Sequence, residues 1–130
     1  MLPTWSQRQP SAAARPRGEI FARHELAIGI HLYMEAASSV ADMRCGCSRP
    51  VSGVIEDPAT GSANVALIAL LAALHAELDL RLEQRISQGV DMGRPSLVVA
   101  SAEKRAGKIV AAHIGGSCMP VVSGVITLTA

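Results

Sequence analysis

Ten consecutive apolar residues, Val65-Ala66-Leu67-Ile68-Ala69-Leu70-Leu71-Ala72-Ala73-Leu74, follow the segment Asp57-Pro58-Ala59-Thr60-Gly61-Ser62-Ala63-Asn64. Capping residues and a glycine ahead of a run of helix formers predict a helix that starts near Ser62 or Ala63. It is apolar on nearly every face, and a helix of that kind is expected to be surrounded by protein on all sides. The run is short of the ~18 to 20 residues that span a bilayer, so it reads as a buried core helix.

The rest of the chain must supply that surrounding. At 130 residues it is one domain, long enough to bury roughly two thirds of its unfolded surface in a single core. Trp5, Phe21 and Tyr33 are the whole aromatic complement, so the core must be built from Ala, Val, Leu and Ile. Ala27 to Met34 reads as a strand, apolar at both odd and even positions apart from His31, as expected where both faces are buried. After His75, strands are expected at Leu82 to Ser87, Ser96 to Ser101 and Lys108 to Ile114. A last β segment is expected at Val121 to Leu128, with turns at Lys104 to Gly107 and a break at Gly115-Gly116. One helix with strands on both sides of it in sequence is an α+β arrangement, a curved sheet wrapped around the helix. Residues 1–18 contain Pro3, Pro10, Pro16 and three arginines but no acid and no apolar periodicity. They read as a disordered lead-in, an untethered or mis-started terminus ahead of a domain at 19–130, because the prolines oppose the amphipathic helix of a transit peptide.

Charge and cysteine content narrow the function. Twelve basic against eleven acidic residues give a net charge of +1, with no electrostatic footprint for nucleic acid. Cys45, Cys47 and Cys118 are too few and oddly counted for a secreted disulfide framework, and no signal-peptide pattern leads the chain, which fits a reducing, cytoplasmic setting. Cys45-Gly46-Cys47 as a metal or redox pair lacks further ligands nearby, the nearest upstream histidine being His31, so no metal is expected.

The start of the helix is the best candidate for chemistry. Its first N–H groups have no intrahelical partner and its dipole favours negative charge. Gly61 and Ser62 would let a carboxylate or phosphate approach, with the Thr60 and Ser62 hydroxyls as extra donors. The competing reading is that Thr60, Ser62 or Asp57 only caps the helix. Glu56 and Asp57 add acid/base capacity, although adjacent acids in a loop are commonly just solvated. Arg94, in Gly93-Arg94-Pro95-Ser96, offers a guanidinium to a carboxylate, or pairs with Asp91 or Glu83 to hold its loop.

Glu56-Asp57-Pro58-Ala59-Thr60-Gly61-Ser62-Ala63-Asn64, then Ile86-Ser87-Gln88-Gly89-Val90-Asp91-Met92-Gly93-Arg94-Pro95-Ser96, then Ile114-Gly115-Gly116 and a Val-rich end resemble the second half of PhzF-like phenazine-biosynthesis isomerases. The resemblance runs from about Ile30 to the C-terminus. It implies one half of a diaminopimelate-epimerase-like fold, an antiparallel barrel-like sheet wrapped around a central apolar helix, with the active site between two such halves. It implies a proton shift on a small carboxylated substrate without metal or organic cofactor. By the same analogy Asp57 is the second-half acid that orients the substrate or its proton relay, and Gly61 and Ser62 hold the substrate carboxylate. The family's main proton-transferring glutamate and its partner histidine lie in the first half, which nothing here resembles; His24, His31, His75 and His113 match none of those positions. His75 is expected as a C-terminal dipole partner or an exposed residue, and His113 as a satisfied structural one. Where the family usually has an Arg-x-Phe strand this chain reads Arg44-Cys45-Gly46-Cys47-Ser48-Arg49, a departure that compensating frame shifts in the gene would explain and resequencing would check. The expected function is therefore a PhzF-like isomerase, incomplete in this chain; the alternative is a truncated remnant that binds carboxylates or forms a homodimer without catalysis.

Overall fold

A computed structural model of the chain describes residues 23–24, 27–36, 38–49 and 53–128; the lead-in read at 1–18 lies outside them. In chain order the elements are β1 (Ile30–Glu35), β2 (Met43–Arg49), β3 (Val54–Asp57), α1 (Gly61–Leu74), β4 (Leu80–Gln88), β5 (Ser96–Arg105) and β6 (Lys108–Gly116). They form one six-stranded sheet in the order β1-β2-β4-β5-β6, with β3 also on β2. The sheet is mixed: β2 and β4 run parallel through Met43 to Cys45, and every other pairing is antiparallel. A parallel pair needs a crossover, and here β3 and α1 provide it, which lays the helix over one face.

Strands β4 and β5 carry the period-two signature that fixes which side faces the helix. Leu82, Ile86 and Gln88 point inward from β4, and Val98, Ala100, Ala102 and Lys104 from β5. Ala100 and Ala102, both fully buried, keep the sheet surface low so that Leu67, Ile68 and Ala72 of the helix settle directly on it. Ile68 and Ile86 are fully excluded from solvent, and each such side chain contributes about 2–3 kcal/mol through burial. Met43 and Cys45 extend this core onto β2.

Four expectations are corrected. The sheet is open and lies under α1 without wrapping it. Among the described residues the helix is consequently covered on one side: Asn64, Leu67, Ile68 and Ala72 form its buried stripe, while Leu70 and Leu74 are exposed. The strand read at Ala27 to Met34 starts at Ile30 and is not buried on both faces, since Leu32, Tyr33 and Met34 are exposed on a strand at the end of the sheet. Val121 to Leu128 has no strand partner among the described residues, and its apolar side chains are exposed; alternation makes a segment strand-competent, but a strand forms only where an edge receives it. Two smaller boundaries also move, because β5 runs on through Lys104 and Arg105 to a two-residue turn at Ala106-Gly107, and β6 continues through Gly115 and Gly116. No described helix is long and apolar enough to cross a membrane.

Candidate active site

Glu56 and Asp57 are neighbours at the end of β3, so the pleat sends their side chains to opposite faces. Asp57 lies opposite Cys47, which is buried on the helix side, and its carboxylate turns toward the start of α1. There its Oδ2 accepts from the Thr60 hydroxyl at 2.9 Å and its Oδ1 from the Ala59 amide at 3.5 Å. Glu56 faces the other way, into a cavity shared with Arg44 and Asp91.

A buried amide network fixes the loop that carries Asp57. The Gln88 Nε2 donates to the Asp57 carbonyl at 2.6 Å and to the Thr60 Oγ1 at 2.9 Å. Its Oε1 accepts from the Thr60 amide at 3.3 Å and from Asn64 Nδ2 at 2.9 Å. Asn64 Nδ2 also donates to the Thr60 carbonyl at 3.0 Å. Gln88 and Asn64 are both completely buried, and every donor and acceptor of the Gln88 amide is matched, which is what permits a polar pair in the core. With Nδ2 so committed, the Asn64 Oδ1 can only accept, so His31 presents Nε2–H to it at 3.1 Å. Nδ1 of His31 then carries a lone pair, buried and without a partner among the described residues. Burial lowers the His31 pKa, with the Asn64 bond opposing, so the ring is neutral at pH 7.

The second motif is pinned to the first at Gly89. Its φ of +71° is open to glycine at little cost, and a Cβ there would collide with the Arg94 carbonyl and with Pro58. Ser96 Oγ closes the same junction by donating to the Pro58 carbonyl at 2.5 Å. Arg94 thus belongs to the turn that touches the Asp57 loop, and its side chain is exposed, with no ion pair among the described residues. Asp91 pairs instead with Arg44 at 2.6 Å.

The start of the helix remains open. Thr60 is the N-cap, yet its side chain caps no helix N–H, because its hydroxyl donates to Asp57. Gly61 and Ser62 lie beside it; Ser62 is exposed, and a Cβ at Gly61 would meet only Ile114, at 3.9 Å. Uncovered first-turn amides, a positive dipole end and an oriented carboxylate can together hold an anion next to an acid. Asp57, Thr60, Gly61 and Ser62 are therefore brought together, with Arg94 at the neighbouring turn.

His75 is exposed at the C-cap, and the last carbonyls of α1 are taken by a residue the sequence reading did not single out, Lys104. His113 is exposed on β6. Cys45 and Cys47 are free, buried side by side on the core face of β2. Burial, followed by the neighbouring Cys47, pushes the Cys45 thiol up to about 11, away from the thiolate that redox or metal chemistry uses. Among the described residues no three His, Cys, Asp or Glu side chains converge as metal ligands.

Gln88, Asn64 and His31 were missed as well. The available signal was chemical: a Gln at an inward position of an alternating strand and an Asn at the head of an apolar helix are core positions that only a partner makes tolerable.

An α+β protein with a helix start left open beside a held carboxylate is the class that fold and site define. The chain belongs to the phenazine biosynthesis-like protein family, whose model matches residues 6–124. That match begins well upstream of Ile30, inside the stretch set apart above as a lead-in. It is 36% identical over 111 residues to a trans-2,3-dihydro-3-hydroxyanthranilate isomerase of Pseudomonas chlororaphis, covering 76% of this chain and 40% of the relative. It is 39% identical over 79 residues to the enzyme of the same name from Pseudomonas fluorescens, covering 61% and 28%. An uncharacterized isomerase of Deinococcus radiodurans is 40% identical over 70 residues, covering 52% and 22%. The chain spans less than half the length of these curated relatives.

Proposed function

We propose that this chain carries one side of an isomerase site that shifts a proton on a small carboxylated metabolite without a metal or organic cofactor. Gly61 and Ser62 take the substrate carboxylate on the first-turn amides of α1, and Asp57 orients the substrate or its proton relay. Thr60 acts through Asp57, whose carboxylate it holds, and Arg94 approaches the carboxylate from the adjacent turn. The observation that carries this reading is the convergence of a held Asp57 with an uncapped helix start. The main proton-transferring acid is supplied by a half of the fold that these 130 residues do not resemble, so the chain is the incomplete, second-half portion of a diaminopimelate-epimerase-like enzyme.

Titration with anthranilate, followed by amide NMR, tests the binding half of the proposal. Saturable shifts at Gly61, Ser62 and Ala63 are expected; shifts absent there, or unchanged in Ser62→Pro with the fold retained, would overturn it. A non-catalytic module that dimerises is the second reading, favoured by the exposed Leu70, Leu74, Val121, Val125 and Ile126. Light scattering that shows a monomer at high concentration counts against it.

A further inference from the structure

On the face of the sheet away from Asp57, a cavity of about 100 Å³ opens where β1, β2, β3 and the turn after β4 meet. Its existence follows from the topology. Strand β2 pairs with β4 through residues up to Cys45 and with β3 from Cys47 onward, so Gly46 sits at the gap between the two neighbours on that edge. Gly46 has no side chain to fill the gap, and a Cβ built there would meet nothing within 4 Å.

Three charged groups line the cavity, Arg44, Glu56 and Asp91. Arg44 and Asp91 neutralise one another at 2.6 Å, and Asp91 is only 9% exposed, so that positive charge is already committed. Glu56 is left without a hydrogen bond or ion pair among the described residues, half-buried, between the apolar walls Leu32, Met34 and Val90. A half-buried carboxylate beside apolar carbon, with no cation of its own, is complementary to a small organic cation: the charge meets Glu56 and the carbon chain covers the walls. A metal ion is a poorer match, because no third ligand converges there among the described residues.

We propose that this cavity is a binding site for a small primary ammonium compound, whose ammonium group is held by Glu56 and whose alkyl part lies against Leu32, Met34 and Val90. The site is separate from the carboxylate site of the proposed isomerase, and either can fail without the other. Burial and then Asp91 push the Glu56 carboxyl above its ordinary value, with Arg44 opposing, so the proton competes with the ligand increasingly as the pH falls. The other titratable groups facing the cavity are Arg44, Asp91, Tyr33 and Cys45. The Cys45 thiol, pushed up to about 11, stays neutral.

The test is titration of the full chain with n-propylammonium, 1-propanol and propionate, followed by amide NMR at neutral pH and again at mildly acidic pH. Saturable shifts at Arg44, Gly46, Glu56 and Val90 are expected with n-propylammonium alone, weakening as the pH falls. Glu56→Gln should weaken binding at least tenfold while leaving the dispersed spectrum unchanged. Gly46→Val, which fills the cavity without touching a charge, should abolish it. Preference for propionate, equal response to propanol, no response to any probe, or full binding in Glu56→Gln would each overturn the proposal. Full binding in a folded Gly46→Val would do so too.

Discussion

The two ends of α1 are built on opposite plans. At the C-terminal end the His75 amide closes back on the Leu71 carbonyl at 3.2 Å. The ammonium group of Lys104, only 4% exposed on β5 beneath, donates to the Ala73 and His75 carbonyls at 3.1 and 2.8 Å. Carbonyls that the helix cannot satisfy are covered, and a positive charge stands at the negative end of the dipole. At the N-terminal end the polar residues serve the loop and not the helix. Thr60, Gln88 and Asn64 hold Asp57 and one another, and the first-turn amides receive neither a side-chain cap from Thr60 nor an acidic residue. One end is finished for stability and the other is kept available, at a cost of about 1 kcal/mol for the missing cap.

The largest test of this contrast is Gln88→Leu. It removes four hydrogen bonds at once and strands the Asn64 amide, the Thr60 amide and the Asp57 carbonyl in the core. A loss of about 3 kcal/mol in urea unfolding is expected, with loss of any Asp57-dependent binding. A small effect would mean that the network does not hold the N-terminal end. Lys104→Met is the counterpart at the other end. The methionine keeps most of the buried stem but leaves two carbonyls without a donor, for an expected loss of about 2 kcal/mol, while the carboxylate site is left intact. Equal damage to anthranilate binding would show that the two ends are not independent.

Legibility followed the same division. Strands β4 to β6 and the helix were readable because their alternating or continuous apolar residues, such as Leu80-Arg81-Leu82 and Val65 to Leu74, report burial directly. The one-sided cover of α1 was not readable, since a run of apolar residues says only that the helix tolerates burial all round. Strands β2 and β3 were hidden by Cys45-Gly46-Cys47, which invites a chemical reading although both thiols simply pack inward. The Asp57-to-Ser62 motif marked the site, while Gln88, Asn64 and Lys104 escaped it. Their roles come from pairs 24 to 31 residues apart, which no local pattern encodes.

Acid should also separate the two ends. The folded-state pKa of His31 lies below its ordinary 6.5, so the unfolded chain binds the proton more readily. The stability linked to His31 is therefore complete above about pH 6.5 and is lost as the pH falls through the lower, folded value. Protonation would place an N–H at the Nδ1 position, which has no acceptor among the described residues. Unfolding free energy measured between pH 7 and 5 should fall in the native chain and flatten in His31→Gln. The slope should be unaffected by Lys104→Met, which leaves the His31–Asn64 contact in place. A slope unchanged in His31→Gln would detach the histidine from the network's stability.

The smallest effect distinguishes an end that is available from one that is merely unfinished. Ser62 is exposed in the first turn of α1, which contains no acid. A carboxylate placed there interacts with the positive end of the dipole and with amides that have no cap, so Ser62→Asp should raise stability by about 0.5 kcal/mol, tempered by Asp57 nearby. The same carboxylate occupies the position proposed for the substrate's, so anthranilate should lose its saturable shifts at Gly61 and Ala63. More stability with less binding is the signature of a helix start whose openness serves a ligand. Ser62→Asp that gains stability and still binds anthranilate at those amides would place the carboxylate elsewhere. Ser62→Asp that loses stability would show that the first-turn amides are already satisfied, and the contrast between the two ends would have to be redrawn around Lys104 alone.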